Sequence, residues 1–278
     1  MYFGNYMRGL LCLLVVTSVQ AQKFDVEARS KALKCMKASE LFGSQGSVVW
    51  QAWLDSAQKA DPTFAQPLLE KARVHNMRGD FQAGFTLMNK AIRLDSVNAL
   101  GYQAWYKLYY LRDYAGARHD LLTTDQLTPK IVDYPGGEHL YYLLGMAEAG
   151  LENNEQALAY FDRYVEDETN RSGGERWVRH LAYLRQAAIY FQLSDYPSAT
   201  GALDKALSHS TNLVEAHYYK GLIALRLGDK TSAAKSLYKA LELLGRGYQS
   251  ERWFYIDNGY PLEKATIQEK LAQATGLR

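Results

Sequence analysis

Cysteine is nearly missing from this sequence: 278 residues hold two, Cys12 and Cys35. An imbalance of charge is missing too, with 32 Lys and Arg against 30 Asp and Glu, a formal net charge of +2. That balance offers no electrostatic case for general nucleic-acid binding. Beyond the N-terminus no apolar run is long enough to cross a bilayer. The sequence also lacks a zinc-type histidine pair, a Cys-x-x-Cys, a phosphate-binding glycine loop and a nucleophile elbow. Histidines 75, 119, 139, 180, 209 and 217 are scattered. Nothing here points to a reaction, and the expectation is a chain that is not an enzyme and needs no cofactor.

The one apolar run is short and sits at the start. Arg8 supplies a positive leader, Leu10 to Val16 an apolar core, and Val19-Gln20-Ala21 a small-residue cleavage site. That is the pattern of a secretory signal peptide, 1–21, cleaved to leave Gln22 first. Leu11 before Cys12 argues against lipid attachment at that thiol, which wants a small residue there. The mature chain then carries +2 − 1 = +1 and a single thiol, Cys35, at helical spacing among apolar residues. One thiol cannot close an internal disulfide, so stability must come from helix packing, which this length can supply. A buried, inert Cys35 is expected.

What the sequence does contain is a recurring pattern of small and bulky residues. Gly221, Ala233, Leu237 and Ala240 set the spacing, and Ala187, Ala199, Leu203 and Ala206 repeat it. So do Gly145, Ala157, Phe161 and Tyr164, and also Ala72, Gly84, Met88 and Ala91. Two copies are degraded, with Trp105, Ala117, Leu121, Thr124 and with Ala38, Trp50, Leu54, Ala57. The second member of each set falls at 50, 84, 117, 157, 199 and 233, in steps of 34, 33, 40, 42 and 34. Such a period signals a solenoid of stacked helix pairs, in which no pair can bury its apolar face alone. Between the helices lie Arg78-Gly79-Asp80, Arg112-Asp113, Ser194-Asp195 and Gly228-Asp229. In each, a residue tolerant of the left-handed region ends one helix and Asp caps the next. Ala60-Asp61-Pro62 stops a second helix. Trp50 and Trp105, standing where other copies have small residues, require splaying or local repacking.

This pattern resembles the tetratricopeptide repeat. Ala216 to Gly221, then Gly228-Asp229, Ala233 and Ala240-Leu241, carry it most clearly, and Ala57 to Pro62 resembles the repeat's closing segment. The resemblance spans about Lys31 to Arg246. It implies an all-α, right-handed superhelix of about six antiparallel helix pairs with a concave face for a protein or peptide, and it implies no reaction. The leader's ending, Val-Gln-Ala-Gln, resembles exported proteins of Bacteroidetes-type bacteria. Together these place the chain among periplasmic or cell-envelope scaffolds. The alternative is an accessory of a secretion or glycan-uptake system that contacts substrate protein or carbohydrate.

The expected layout is a repeat array over 22–247 and a tail over 248–278. The first helix runs from Gln22 to Phe42, with Ala28, Ala32 and Cys35 on one side. The two long steps add loops at 128–137 and 166–174 on one edge, flanking the repeat that starts near Glu138; they serve as surface loops or as a binding face. The tail holds the aromatic run Arg252 to Ile256 and a capping helix Pro261 to Ala274. Leu262, Ile267, Leu271 and Ala274 face inward on it, and Trp253 and Phe254 pack on the last repeat.

In the implied fold the first helix of each pair lines the concave wall, and residues four and seven apart share a face. Partner contact then falls on Arg73 and Asn76; on Tyr102, Tyr106 and Tyr109; on His139, Tyr142 and Met146; and on Phe191 and Tyr218. Tyrosine offers contact area and a hydroxyl at low entropy cost. The same stripes serve equally well as packing between repeats. The Lys/Asn clamp that some of these proteins use for a C-terminal carboxylate is not matched, since Cys35, Ser39, Leu69 and Arg73 hold the comparable positions. Glu166, Asp167 and Glu168 near His139 are a solvated acidic face or a hard-cation site, and Asn170-Arg171-Ser172 is a glycosylation sequon only in a eukaryotic host.

Overall fold

The structure is a computed structural model that describes residues 25–129, 131–248 and 262–276. Among them are thirteen α-helices and no strand. The chain divides into two compact units, Met1–Pro67 and Leu68–Arg278. The leader, Pro261 and the tail aromatics Trp253 and Phe254 lie outside the described residues.

The first unit is a hairpin of α1 (Val26–Phe42) and α2 (Val48–Ala60). Asp25 opens α1 by accepting from the N–H groups of Glu27 and Ala28. Ser47 does the same for α2 through Trp50 N–H. Leu54 and Ala57 are wholly buried. Trp50 is buried as well, and its backbone passes so close to Gly43 that a Cβ there would stand 2.7 Å from the Trp50 nitrogen. Cys35 is half-buried, more exposed than its spacing led one to expect, because α1 shows that side partly to solvent. Asp61 ends α2 and accepts from Arg29 Nε at 2.5 Å, which ties the end of the hairpin to its start.

The second unit begins within α3 (Gln66–Met77), which pairs in sequence with α4 (Phe81–Leu94), and continues with α5 (Ser96–Tyr106) and α6 (Tyr114–Leu127), and α7 (Leu140–Gly150) and α8 (Asn154–Ser172). Then come α9 (His180–Gln192) and α10 (Tyr196–His209), α11 (Val214–Arg226) and α12 (Lys230–Gly245), and last α13 (Lys264–Thr275). The turn chemistry behaves as the residues require. Asp80, Asp113, Asp195 and Asp229 each accept a backbone N–H three residues on, at 3.3, 2.9, 3.1 and 2.9 Å. Gly79, Arg112, Ser194 and Gly228 take φ of 80, 53, 60 and 80°.

The bulky member of every repeat lies at the centre of its pair. Met88, Leu121, Phe161, Leu203 and Leu237 are all at most 1 % exposed. Each such burial contributes about 2–3 kcal/mol. Glycine makes the close approach possible. A Cβ on Gly145 would meet the Phe161 ring at 2.8 Å, and one on Gly221 would meet Leu237 Cγ at 2.6 Å. Beside α12, α13 buries Ile267 and Ala274, with Leu262 just before it, and so caps this unit.

The degraded copy at Trp105 is repacked. After Tyr106 the helix widens into a π-helical turn, Lys107–Leu111, before Arg112 enters the left-handed region. Trp105 packs against Tyr106, Tyr109 and Tyr110 at ring distances of 5.0, 5.3 and 5.8 Å. Gly136, at φ 62°, clears space for the indole, 2.7 Å from where its Cβ would be. The two long steps differ in kind. The first is a true loop that tightens into a 3-10 turn at Pro135–Gly137. The second is chiefly helix: α8 runs on to Ser172 and ends at Gly173 with φ 75°, followed by a 3-10 turn at Glu175–Trp177. The expected loop at 166–174 is therefore mostly an extra helical length. Its sequence is polar, but it contains no residue that would break a helix before Gly173.

Candidate functional site

The long steps bring their residues together around the N-terminus of α7. A cleft of about 270 Å³ lies there, lined by Tyr134, Gly137, Glu138, His139, Tyr142, Tyr164, Glu168, Arg171, Trp177 and Arg179. Besides His139 and Tyr142 at the start of α7, three stretches of chain build it. The first insertion supplies Tyr134 through Glu138, the last turns of α8 supply Tyr164, Glu168 and Arg171, and the turn before α9 supplies Trp177 and Arg179.

A chain of polar contacts forms its floor. Arg179 Nη1 donates to Glu138 Oε1 at 2.7 Å, and Tyr109 Oη–H donates to the other Glu138 oxygen at 2.5 Å. The Arg179 backbone N–H donates to Tyr164 Oη at 2.8 Å. The Arg179 guanidinium lies 5.1 Å from the Tyr142 ring centroid. One carboxylate thus joins three successive helix pairs, and the π-helical turn carries the Tyr109 that reaches it. At the other wall Glu168 is held by Arg171 through two nitrogens, with Tyr134 Oη at 3.5 Å.

His139 caps α7 by accepting the Tyr141 backbone N–H on Nδ1 at 3.2 Å, which leaves its proton on Nε2. The rings of Tyr134, Tyr141 and Tyr164 surround it at 5.3, 5.5 and 5.0 Å. Burial in this aromatic cage pushes its pKa down to about 4. The nearby Glu168 carboxylate raises it, and Arg171 and Arg163 lower it further. His139 is a neutral structural cap in this setting. Burial likewise raises the Tyr164 phenol.

The other residues expected to contact a partner divide by exposure. Tyr102 and Arg73 are open to solvent, Tyr102 at 41 %. Phe191 and Tyr218 are half-buried and linked through Tyr219, at ring distances of 5.5 and 6.0 Å. Asn76, Tyr106, Tyr109, Tyr142 and Met146 are buried between helices, as His139 is. Tyr106 packs against Tyr110 with ring centroids 5.4 Å apart and the planes tilted by 43°, and burial raises its phenol pKa strongly. Arg73 Nη2 pairs with Glu70 at 2.5 Å. His139 and Tyr142 reach the cleft, and Tyr109 reaches its floor through Glu138; the rest of the set lies elsewhere. Glu138, Trp177 and Arg179 had no motif to mark them. Their only sequence signal is position, beside the two lengthened steps.

Comparisons with known proteins agree with this architecture. Family models described as tetratricopeptide repeat match residues 138–166 and 180–248. No curated protein matches the sequence. Among solved structures, pilF of Pseudomonas aeruginosa is 18 % identical with a TM-score of 0.63, covering 89 % of this chain and 98 % of its own. PilW, a widely conserved type IV pilus biogenesis factor, is 15 % identical with a TM-score of 0.61, over 80 % and 96 %. YrrB, a tetratricopeptide-repeat protein with an unusual peptide-binding site, is 18 % identical with a TM-score of 0.54, over 69 % and 92 %. At such identities the likeness is one of fold. The family match is confined to residues 138–166 and 180–248, and the likeness to the solved structures is one of paired-helix architecture.

Proposed function

We propose that this chain is a non-catalytic scaffold of the bacterial cell envelope, exported and periplasmic or envelope-associated, that binds a protein or peptide segment. Arg73 and Tyr102 offer contact on the first helices of the second and third pairs, with Phe191 and Tyr218 further along. Asn76, Tyr106, Tyr109 and Met146 stiffen the wall behind them. His139 and Tyr142 underlie the cleft. The observation that carries the reading is the exposed aromatic pair at the cleft: Trp177 is 66 % and Tyr134 41 % exposed. Large aromatic faces held open beside a cleft on short 3-10 turns mark a contact surface. A second reading, an accessory of a secretion or glycan-uptake system, draws on the same Trp177, whose indole can lie against a sugar ring.

Photo-crosslinking on envelope preparations tests the proposal. A crosslinker at position 102 or 177 should give a discrete adduct, while one at the exposed Gly201 of α10 should not. Equal adducts from all three positions would show that the surface is not selective.

A further inference from the structure

The cleft shows its charges asymmetrically. Its two carboxylates are turned inward, with Glu138 and Glu168 side chains 10 % and 6 % exposed. The guanidiniums paired with them face outward, Arg179 at 32 % and Arg171 at 61 %. Arg171 spends Nε and Nη2 on Glu168, and the two N–H groups on Nη1 are not used in that pair. Its guanidinium also lies 5.7 Å from the Tyr134 ring. Just outside, the exposed Arg176 lies 5.7 Å from the Trp177 ring. Glu175, the carboxylate in that outer turn, is paired with Lys205 at 3.2 Å. A ligand arriving from solvent therefore meets three guanidiniums and two aromatic faces, with the carboxylates behind them.

From this we infer that the cleft recognises an acidic peptide segment, with side-chain carboxylates on Arg171, Arg176 and Arg179 and an adjacent aromatic or apolar residue against Trp177. The inference rests on the scaffold reading and names the chemistry of its partner. Three features support it. Carboxylates behind Arg171 and Arg179 hold those guanidiniums in one orientation, so less side-chain freedom is lost when an anion docks there. A guanidinium fork matches a carboxylate in shape. The carboxylates that could accept hydroxyls from a neutral sugar are already engaged by Arg and Tyr donors, which disfavours that ligand relative to an anion.

The probe is a fluorescein-labelled pentapeptide, Glu-Asp-Phe-Asp-Glu, titrated with the full chain and followed by anisotropy. Its Lys-Lys-Phe-Lys-Lys counterpart and a neutral Gln-Asn-Phe-Asn-Gln peptide serve as comparisons. The acidic peptide should bind at least tenfold more tightly than either, and its affinity should fall steeply between 50 and 300 mM NaCl as the charges are screened. Arg176→Gln and Trp177→Ala are exposed substitutions that leave the buried pairs intact. Each should weaken binding several-fold with an unchanged circular dichroism spectrum. Arg171→Gln should do the same, with its melting temperature checked because Glu168 loses a partner. Equal binding of the three peptides, preference for the basic one, or wild-type affinity in both exposed variants would overturn the inference. Those outcomes leave the scaffold reading standing if the crosslinks from positions 102 and 177 persist. Loss of those crosslinks would defeat the scaffold reading itself.

Discussion

Two glycines in helix interiors should respond to the same substitution in opposite directions. Gly145, in α7, faces the Phe161 ring. A Cβ there would stand 2.8 Å from Cδ1 and Cε1 and 3.0 Å from Cζ. Gly201, in α10, has nothing within 4 Å of its Cβ position. Alanine gains about 1 kcal/mol over glycine in a helix interior at either site. At Gly201 that gain stands alone. At Gly145 it is opposed by overpacking, which costs about 1–3 kcal/mol when the neighbour cannot move aside. Phe161 is fully buried and held among Tyr142 and the α7–α8 core, so it has little room to turn. Gly201→Ala should stabilise by about 1 kcal/mol and Gly145→Ala should destabilise by about 1 kcal/mol. For a chain of this size 1 kcal/mol moves the melting temperature by roughly 2–4 °C, so the variants should melt about 4–8 °C apart. Thermal melts followed at 222 nm measure this directly. If Gly145→Ala melts at or above the wild-type temperature, close helix approach is not what the small residue of the repeat provides, and the packing argument fails.

Glu138→Ala removes the acceptor shared by Arg179 and Tyr109 and should cost about 2 kcal/mol, because charge-assisted hydrogen bonds of half-buried groups are lost. Urea titration should show it, and Glu138→Gln should recover part of the loss; full stability of the alanine variant would mean that the polar floor does not tie the helix pairs together. His139 gives a pH signature. Its pKa is about 4 folded against about 6.5 unfolded, so below pH 6.5 the unfolded chain binds the extra proton and stability falls as pH drops toward 4, by ~3 kcal/mol across that window. His139→Asn keeps an acceptor for the Tyr141 N–H but cannot titrate. Its melting temperature should therefore decline less steeply than the wild type's from pH 6.5 to 4, and parallel curves would refute the buried-imidazole argument.

The sequence by itself determined the repeat. Helix pairs recur because small and bulky residues recur at fixed spacing, and Asp caps with left-handed turn residues punctuate them locally. Met88, Leu121, Phe161, Leu203 and Leu237 are buried where that spacing requires. Such features depend on contacts within one pair, a few turns apart in the chain, so periodicity reveals them. Which tyrosines face solvent is decided by the neighbouring pair. Tyr102 and Tyr106 share one helical stripe, yet one is open and the other is closed by Trp105, Tyr110 and the residues of α3 and α4. The extension of α8 to Ser172 was hidden because a polar helix and a polar loop have similar composition. The cleft was decided by tertiary structure alone. Tyr109, Glu138, Tyr164 and Arg179 are spread over 70 residues of sequence, and no local spacing links them. Only the stacking of three pairs, with a widened turn at 107–111 on one side and a lengthened α8 on the other, sets two guanidiniums over the half-buried Glu138 and the buried Glu168.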